Sequence, residues 1–398
     1  MKRFLAATVI GISPLLFFMP SAHAFSIFDY SVFSYSDVFL GGNVRITDGE
    51  VGTDADMTIE NDVDISRSVN GQGNLNSSIN LRVDEDVTFN GDVTIDHNAR
   101  VKGNLDSGGN VTLDKTVTVD KNVTAAGNVD IDQNSRVKGN MDSGGNVLIR
   151  KDAKVDGAIT ATGTITLQSG ASAGSQNPGG SPQSPQSYVS PGLPAITSFS
   201  AGVVDVIKGN NQSTILAPTS YNVLDLGNAN DLFLSSGVYY FGSVNIGRDS
   251  KIHIDLTGAS KNIEIYVLNN ATLDQDIFML LNSGTGSNVY WETHGSFEAN
   301  EDRIWYGTYY TPYSTMTFDK NSRICGALYS EGKLTLAEDT SLDFCSPYQK
   351  QNFAPEPATL SLLGLGFLGA LNFPHNFLPT TSSCPPCVLM LRCGKFYR

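Results

Sequence analysis

Glu292 and His294, two residues apart in the run WETHGSF, form the one His–carboxylate arrangement in this chain that could move a proton. Residues two apart on a strand share a face, but general acid–base chemistry also needs both groups to converge on a cleft. The other histidines are scattered: His23, His97, His253 and His375. A packed or surface histidine is therefore the preferred reading, and no catalytic residue is expected. Asp96, Asp114 and Asp132 recur 18 residues apart. Stacked carboxylates repel unless screened or bridged by a cation such as Ca²⁺. Lys115 and Lys151 lie beside this column, so screening is preferred, and neither metal nor cofactor is expected. The Asp-x-Asp pairs (Asp54/Asp56, Asp62/Asp64, Asp84/Asp86) lack the Gly and terminal Glu of an EF-hand loop. The CPPC at 384–387 has no second pair and no thioredoxin-like context. Cys325 and Cys345 would pair in an oxidising compartment; two buried thiols are the alternative.

The elements that must position these groups come from a repeat. From Met57 to Gly170 the chain repeats every 18 residues without insertion. Stepping by 18 from Met57 gives Leu75, Val93, Val111, Val129, Val147 and Ile165, and other columns are equally apolar. A local period of two, rich in Val, Ile and Thr, indicates short strands. Eighteen residues suit three strands and three corners, one turn of a parallel β-solenoid whose coils stack about 4.8 Å apart. Gly73, Gly91, Gly109, Gly127, Gly145 and Gly163 form a column without exception. Such a column requires either φ > 0 or close backbone approach. Asp84, Lys102, Asp120, Lys138 and Asp156 alternate in sign up the rod. Thr88, Asp106, Thr124, Asp142 and Thr160 alternate as well, so the true repeat is 36 residues: VTIDHNARVKGNLDSGGN (93–110) returns as VDIDQNSRVKGNMDSGGN (129–146).

The fold class expected is all-β: a parallel β-solenoid of 18-residue coils (57–170), then a second, irregular β-solenoid-like domain (197–350). Residues 1–24 read as a secretory signal peptide, with Lys2 and Arg3, an apolar stretch and Ala22-His23-Ala24 at the cleavage site. Residues 25–56, rich in Phe, Tyr, Ser and Asp, are expected to cap the open end of the solenoid, whose edge would otherwise invite association. Residues 171–196 form a Gly/Ser/Pro/Gln linker, part flexible and part extended. A formal charge of −14 argues against nucleic acid as a partner. Ice binding would need a flat Thr array. Thr58, Thr94, Thr112 and Thr166 share a column that Asn76, Asp130 and Leu148 interrupt.

The chain's end carries Pro355-Glu356-Pro357 before the apolar run LSLLGLGFLGAL (360–371). Twelve residues are too few to cross a bilayer as a helix, which takes roughly 20. Residues 354–371 resemble the PEP-CTERM sorting signal, which directs exported proteins of Gram-negative bacteria to the membrane-embedded protease exosortase. That resemblance implies a transient or processed membrane anchor, and a place at the cell-envelope surface or in the extracellular matrix. The tail 372–398 departs from it: it has no Arg cluster and holds three Cys, the departure expected of a reading-frame shift near codon 371. The 18-residue coils resemble bactofilins, polymer-forming β-helical proteins. GVYYFGSVNIG (237–247), NIEIYVLNNATL (262–273), NVYW (288–291) and residues 306–336 weakly resemble the irregular β-solenoid of ice-binding and adhesin modules. The expectation is an exported, non-enzymatic structural or adhesive matrix protein, able to self-associate; Tyr290, Trp291, Trp305, Tyr306, Tyr309, Tyr310 and Tyr313 are its candidates for contact with extracellular polysaccharide, core or corner packing being the preferred reading of those rings. An ice-binding protein is the first alternative and a polysaccharide-degrading β-helix enzyme the second.

Overall fold

The computed structural model describes residues 26–258, 261–301 and 304–343. The expected signal peptide, Cys345, the Pro355-Glu356-Pro357 motif and the tail 372–398 lie outside the described residues. Each regular coil has three short strands. In one coil these are Val87–Phe89 on a first face, Val93–Ile95 on a second and Arg100–Val101 on a third. Val87, Phe89, Val93, Ile95 and Val101 point inward and are fully buried. Burying each such side chain contributes about 1.5–3 kcal/mol, so the interior is a set of stacked columns, mostly aliphatic, with Phe89 and the small Gly71, Ser107, Ala125 and Ser143 sharing one of them. Val93 pairs with both Leu75 and Val111, and Val129 with Val111 and Val147, all parallel.

Two corner devices hold this register. The bend between the second and third faces has φ near +60° at Asn80, Asn98, Thr116, Asn134 and Asp152; Asn and Asp enter that region most readily among non-glycine residues. The glycine column does the other job left open by the sequence, close approach. A Cβ on Gly109 would lie 2.1 Å from Asp92 Oδ1, and one on Gly127 2.5 Å from Asn110 Oδ1. Those oxygens form a ladder: Asn110 N donates to Asp92 Oδ1 (2.6 Å), Asn128 N to Asn110 Oδ1 (2.9 Å), and Asn146 N to Asn128 Oδ1 (2.8 Å). The alternating charges also meet. Lys102 and Lys138 reach Asp84 and Asp120 at 2.8 Å, and Arg100 and Arg136 reach Asp120 and Asp156 at 2.6 Å.

The later coils keep the three faces but vary in length. On the second face Leu224, Val244, Ala271, Phe297, Met316 and Leu334 pair in series although their spacings differ. Extra residues go into corners, so the pairing survives.

Residues 26–56 hold a different position from the end cap expected of 25–56. Their first strand, Tyr30–Ser34, pairs with Glu50–Thr53 on one side and with Arg323–Ser330 on the other. The same holds for Val38–Leu40, between Met57–Ile59 and Leu334–Leu336, and for Arg45–Ile46, between Asp64–Ile65 and Ser341–Asp343. This coil therefore seats the first coils of the chain on the last ones. The second face is accordingly one 15-stranded parallel sheet running from Val206–Lys208 through Leu334–Leu336 and Val38–Leu40 to Ile165–Leu167. At about 4.8 Å per rung this is a rod of roughly 70 Å. Both textures share one hydrophobic core. In space residues 206–343 come first and 30–178 follow, so the chain must return along the outside.

It does so as a strap. Ser172–Pro178 still pairs as a strand; beyond it the chain descends the first face in extended conformation. Gln183 N donates to Asp142 Oδ1, Gln186 N to Asp106 Oδ1, Tyr188 N to Asn90 Oδ1, Ser190 Oγ to Asp54 Oδ2, Leu193 N to the Tyr35 hydroxyl, and Thr197 N to Glu292 Oε1. The stretch expected to be a linker thus lies along a bed of side-chain acceptors, which explains why outward-pointing Thr88, Asp106 and Thr124 are buried.

Candidate functional site

The His–carboxylate pair lies beneath the strap. Glu292 is on the outer side of Val289–Thr293, a first-face strand buried at every position. Its side chain is 0% exposed. Glu292 Oε1 accepts from Thr197 N at 2.9 Å and meets His294 Nε2 at 2.8 Å. Oε2 accepts from the Tyr290 hydroxyl at 2.8 Å and from Thr197 Oγ1 at 3.2 Å. A carboxylate in this position satisfies the rule that buried charge must be hydrogen-bonded. The His294 ring lies against Phe199 of the strap (4.9 Å between centroids) and edge-on to Tyr313 (5.3 Å). Both groups share a face, as the two-residue spacing predicts, yet that face is covered by Thr197 and Phe199 of the strap. The arrangement anchors the strap and leaves neither carboxylate oxygen facing a substrate.

Around this anchor runs a second apolar cluster, on the outside of the solenoid. It joins Tyr30, Phe33, Tyr188, Tyr266, Tyr290, Tyr310 and Tyr329, with Leu193, Phe199 and Tyr240 packed against it. Tyr240 and Tyr266 stack at 5.3 Å. The Tyr329 hydroxyl donates to Ile27 O and Tyr30 O, both at 3.1 Å. Burial pushes the phenols of Tyr266, Tyr310 and Tyr329 far above their ordinary value. At Tyr290 the Glu292 charge adds to the same effect.

The aromatic residues that are candidates for ligand contact divide accordingly. Trp291, Trp305 and Tyr309 fill the solenoid interior, and Tyr290 and Tyr310 lie under the strap. Tyr306 is half-buried, beside a pocket of about 650 Å³ shared with Cys325, Met279 and Leu281. Tyr313 is 63% exposed. Interior rings here are packing, because they sit at inward positions of long strands. Cys325 is disulfide-bonded; Cys345, its expected partner, is outside the described residues.

An outer stripe escaped sequence reasoning. Ile215, Phe233, His253 and Leu280 pair in register across the four-stranded third face of the first coils in space. Phe233 and His253 stack at 4.3 Å, and His253 Nε2 is 2.8 Å from Asp231 Oδ1. The alternation in KIHIDL (251–256) points His253 outward, but its ring partner comes from another coil.

Asp96 and Asp114 do stack. His97 joins them, its Nδ1 hydrogen-bonded to Asp96 and 3.4 Å from Asp114 Oδ2. Burial, followed by the adjacent Asp132 and Asp96 carboxyls, raises Asp114 above its ordinary value. Two carboxylates and an imidazole are a poor set for Ca²⁺, which takes six to eight oxygens. The interrupted Thr column is in register on the second face, where Asp130 is ion-paired to Arg150 at 2.7 Å. Among the described residues no helix is long and apolar enough to cross a membrane.

Residues 81–176 match the model of the family described as "Bactofilin: Polymer-forming cytoskeletal". No curated protein matches the chain. Among solved structures, the chain is similar to an ice-binding protein from an Antarctic Flavobacteriaceae bacterium, at 12% identity over 82% of this chain and 98% of that one, with a TM-score of 0.26. It is also similar to the tapirin C-terminal domain of Caldicellulosiruptor hydrothermalis, at 11% identity over 90% and 98%, with a TM-score of 0.34.

Proposed function

We propose that this chain is an exported, non-enzymatic structural rod of the cell envelope or extracellular matrix of a Gram-negative bacterium. A single observation carries the structural part: both halves build one continuous parallel stack with a shared core, whose His–carboxylate pair is sealed by its own chain. The bactofilin-type match over 81–176 supports the same reading. Export, the exosortase-type protease as partner and a processed anchor rest on residues 1–24 and 354–371. Self-association would use the ends of the rod. Val206–Lys208 and Ile165–Leu167 each pair on one side only among the described residues, and unpaired strand edges template further pairing. Contact with extracellular polysaccharide is assigned to the Ile215–Phe233–His253–Leu280 stripe, where stacked rings are flanked by Asp231 and Asp255.

Fractionation of the producing bacterium, with electron microscopy of purified protein, tests this proposal. Envelope or matrix recovery and rods whose lengths are multiples of roughly 70 Å are expected. Recovery in the cytoplasm would overturn the export reading. Release of reducing ends from glycans, abolished by Glu292→Gln, would establish the enzyme reading instead. Thermal hysteresis by residues 25–350 would establish ice binding.

A further inference from the structure

The strap and the face beneath it share a ruler. Asp142, Thr124, Asp106, Thr88, Asn70, Gly52, Phe33, Tyr329, Tyr310 and Glu292 form one column of directly paired residues, nine rungs long. Gln183 is bonded at its top and Thr197 at its bottom. Nine rungs at about 4.8 Å make roughly 43 Å. The 14 residue steps from 183 to 197 cover the same roughly 43 Å at the ~3.1 Å per residue of a polyproline II chain. Pro182, Pro185, Pro191 and Pro194 set φ near the value that conformation needs.

The match holds at the next level down. Polyproline II repeats every three residues, about 9.3 Å, and two coils rise about 9.6 Å. The strap carries Ser-Pro-Gln twice, at 181–183 and 184–186. The backbone N–H groups of Gln183 and Gln186 land on Asp142 and Asp106, two coils apart, with Thr124 between them. The alternation of Asp with Thr that doubles the repeat to 36 residues fits this spacing: the Gln N–H groups fall on Asp142 and Asp106 with Thr124 between them, and the next strap N–H, of Tyr188, falls on Asn90 one coil further on.

We propose that the first face is a recognition surface for a polyproline II chain, read at three residues per two coils, with residues 179–199 of the same chain as occupant. By this match the strap's length selects which coils meet, seating the coil at 30–46 on the coil at 327–343 of its own chain rather than on a second copy. The Asp142 and Asp106 carboxylates, two coils apart, read backbone N–H groups, and the aromatic cluster receives Tyr188, Leu193 and Phe199.

A deletion cycle in the full chain tests the ruler. Removing 184–186 shortens the strap by one triplet. Removing 107–142 takes out two coils and rejoins Asp106 to the identical Ser-Gly-Gly-Asn sequence. Each deletion alone is expected to raise chymotrypsin cleavage after Tyr188 about tenfold, as strap opening becomes easier. The double deletion should return to within about twofold of the parent, a coupling that independent sites do not show. Multiplying effects in the double deletion would overturn the proposal. Should a deletion fail to fold, Gln183→Pro with Gln186→Pro decides. Proline keeps the extended conformation and removes both donated N–H groups. Several-fold faster cleavage is expected, and an unchanged rate would overturn the proposal.

Discussion

The regular coils and the irregular coils solve the same stacking problem with different materials. Between residues 69 and 161 the interior is mainly aliphatic, with Phe89 the one ring in the core cluster, and register is held at the corners by glycine contacts, the Asn ladder and alternating charges. Between 223 and 343 coil length varies, and rings take over. Trp291, Trp305, Tyr309, Phe297 and Phe318 pack inside, and the tyrosine cluster outside is clamped by the strap. A constant corner lets short-range contacts carry register. A variable corner forfeits them, and large side chains with a longitudinal tie replace them.

That contrast can be broken most strongly from the inside. Trp305→Ala should cost about 3–5 kcal/mol, the usual range for a buried large aromatic, whereas Val129→Ala should cost about 2 kcal/mol by loss of buried hydrocarbon. Urea unfolding midpoints measure both, and equal costs would contradict the division of labour. Next comes the corner. Gly109→Ala should cost about 1–3 kcal/mol through forced overlap with Asp92 and the backbone below. Gly192→Ala on the strap, where a Cβ meets nothing within 4 Å, should stay within about 0.5 kcal/mol.

The junction coil supplies a pH test of intermediate size. Glu50, bonded to Asn70 Nδ2 at 2.9 Å, is pushed up to about 7 by burial and by the nearby Asp29 charge. A carboxyl whose folded pKa is raised stabilises the fold fully below its unfolded pKa, and loses that contribution as pH rises through the folded value. Stability should therefore fall between about pH 4.5 and 7, by about 1 kcal/mol once solvent screening of this partly exposed group is allowed for. Glu50→Gln should flatten that slope in thermal melts across the range. The smallest effect belongs to the charge ladder. Against partial burial, which works to raise it, Lys138 and Arg100 hold Asp120's carboxyl below its ordinary value. Asp120→Asn should still cost only about 0.2–1 kcal/mol, and less in high salt.

Much of the regular half was legible from its columns. An unbroken 18-residue period places the same residue at the same bend each time, so inward Val87 and Val93, the Gly109 corner and the Asp84–Lys102 contact follow from spacing alone. The Glu292–His294 site was legible only as a shared face. Its sealing partners, Thr197 and Phe199, lie nearly a hundred residues away in a stretch whose composition reads as linker. The signal that could have found them was the Pro-spaced triplet at 181–186 set beside the 36-residue alternation of Asp106 and Asp142.

What this sequence by itself determined is the coil: its three strands, its inward columns and the residues able to turn its corners, because these are local and each is enforced by side-chain type. Only the tertiary structure decided the order of the stack. Parallel strands join through backbone N–H and C=O groups that are the same in every coil. Nothing in Tyr30–Ser34 alone announces that Arg323–Ser330 will be its neighbour. That choice falls to contacts spanning the whole rod, namely the aromatic cluster and a strap of the right length.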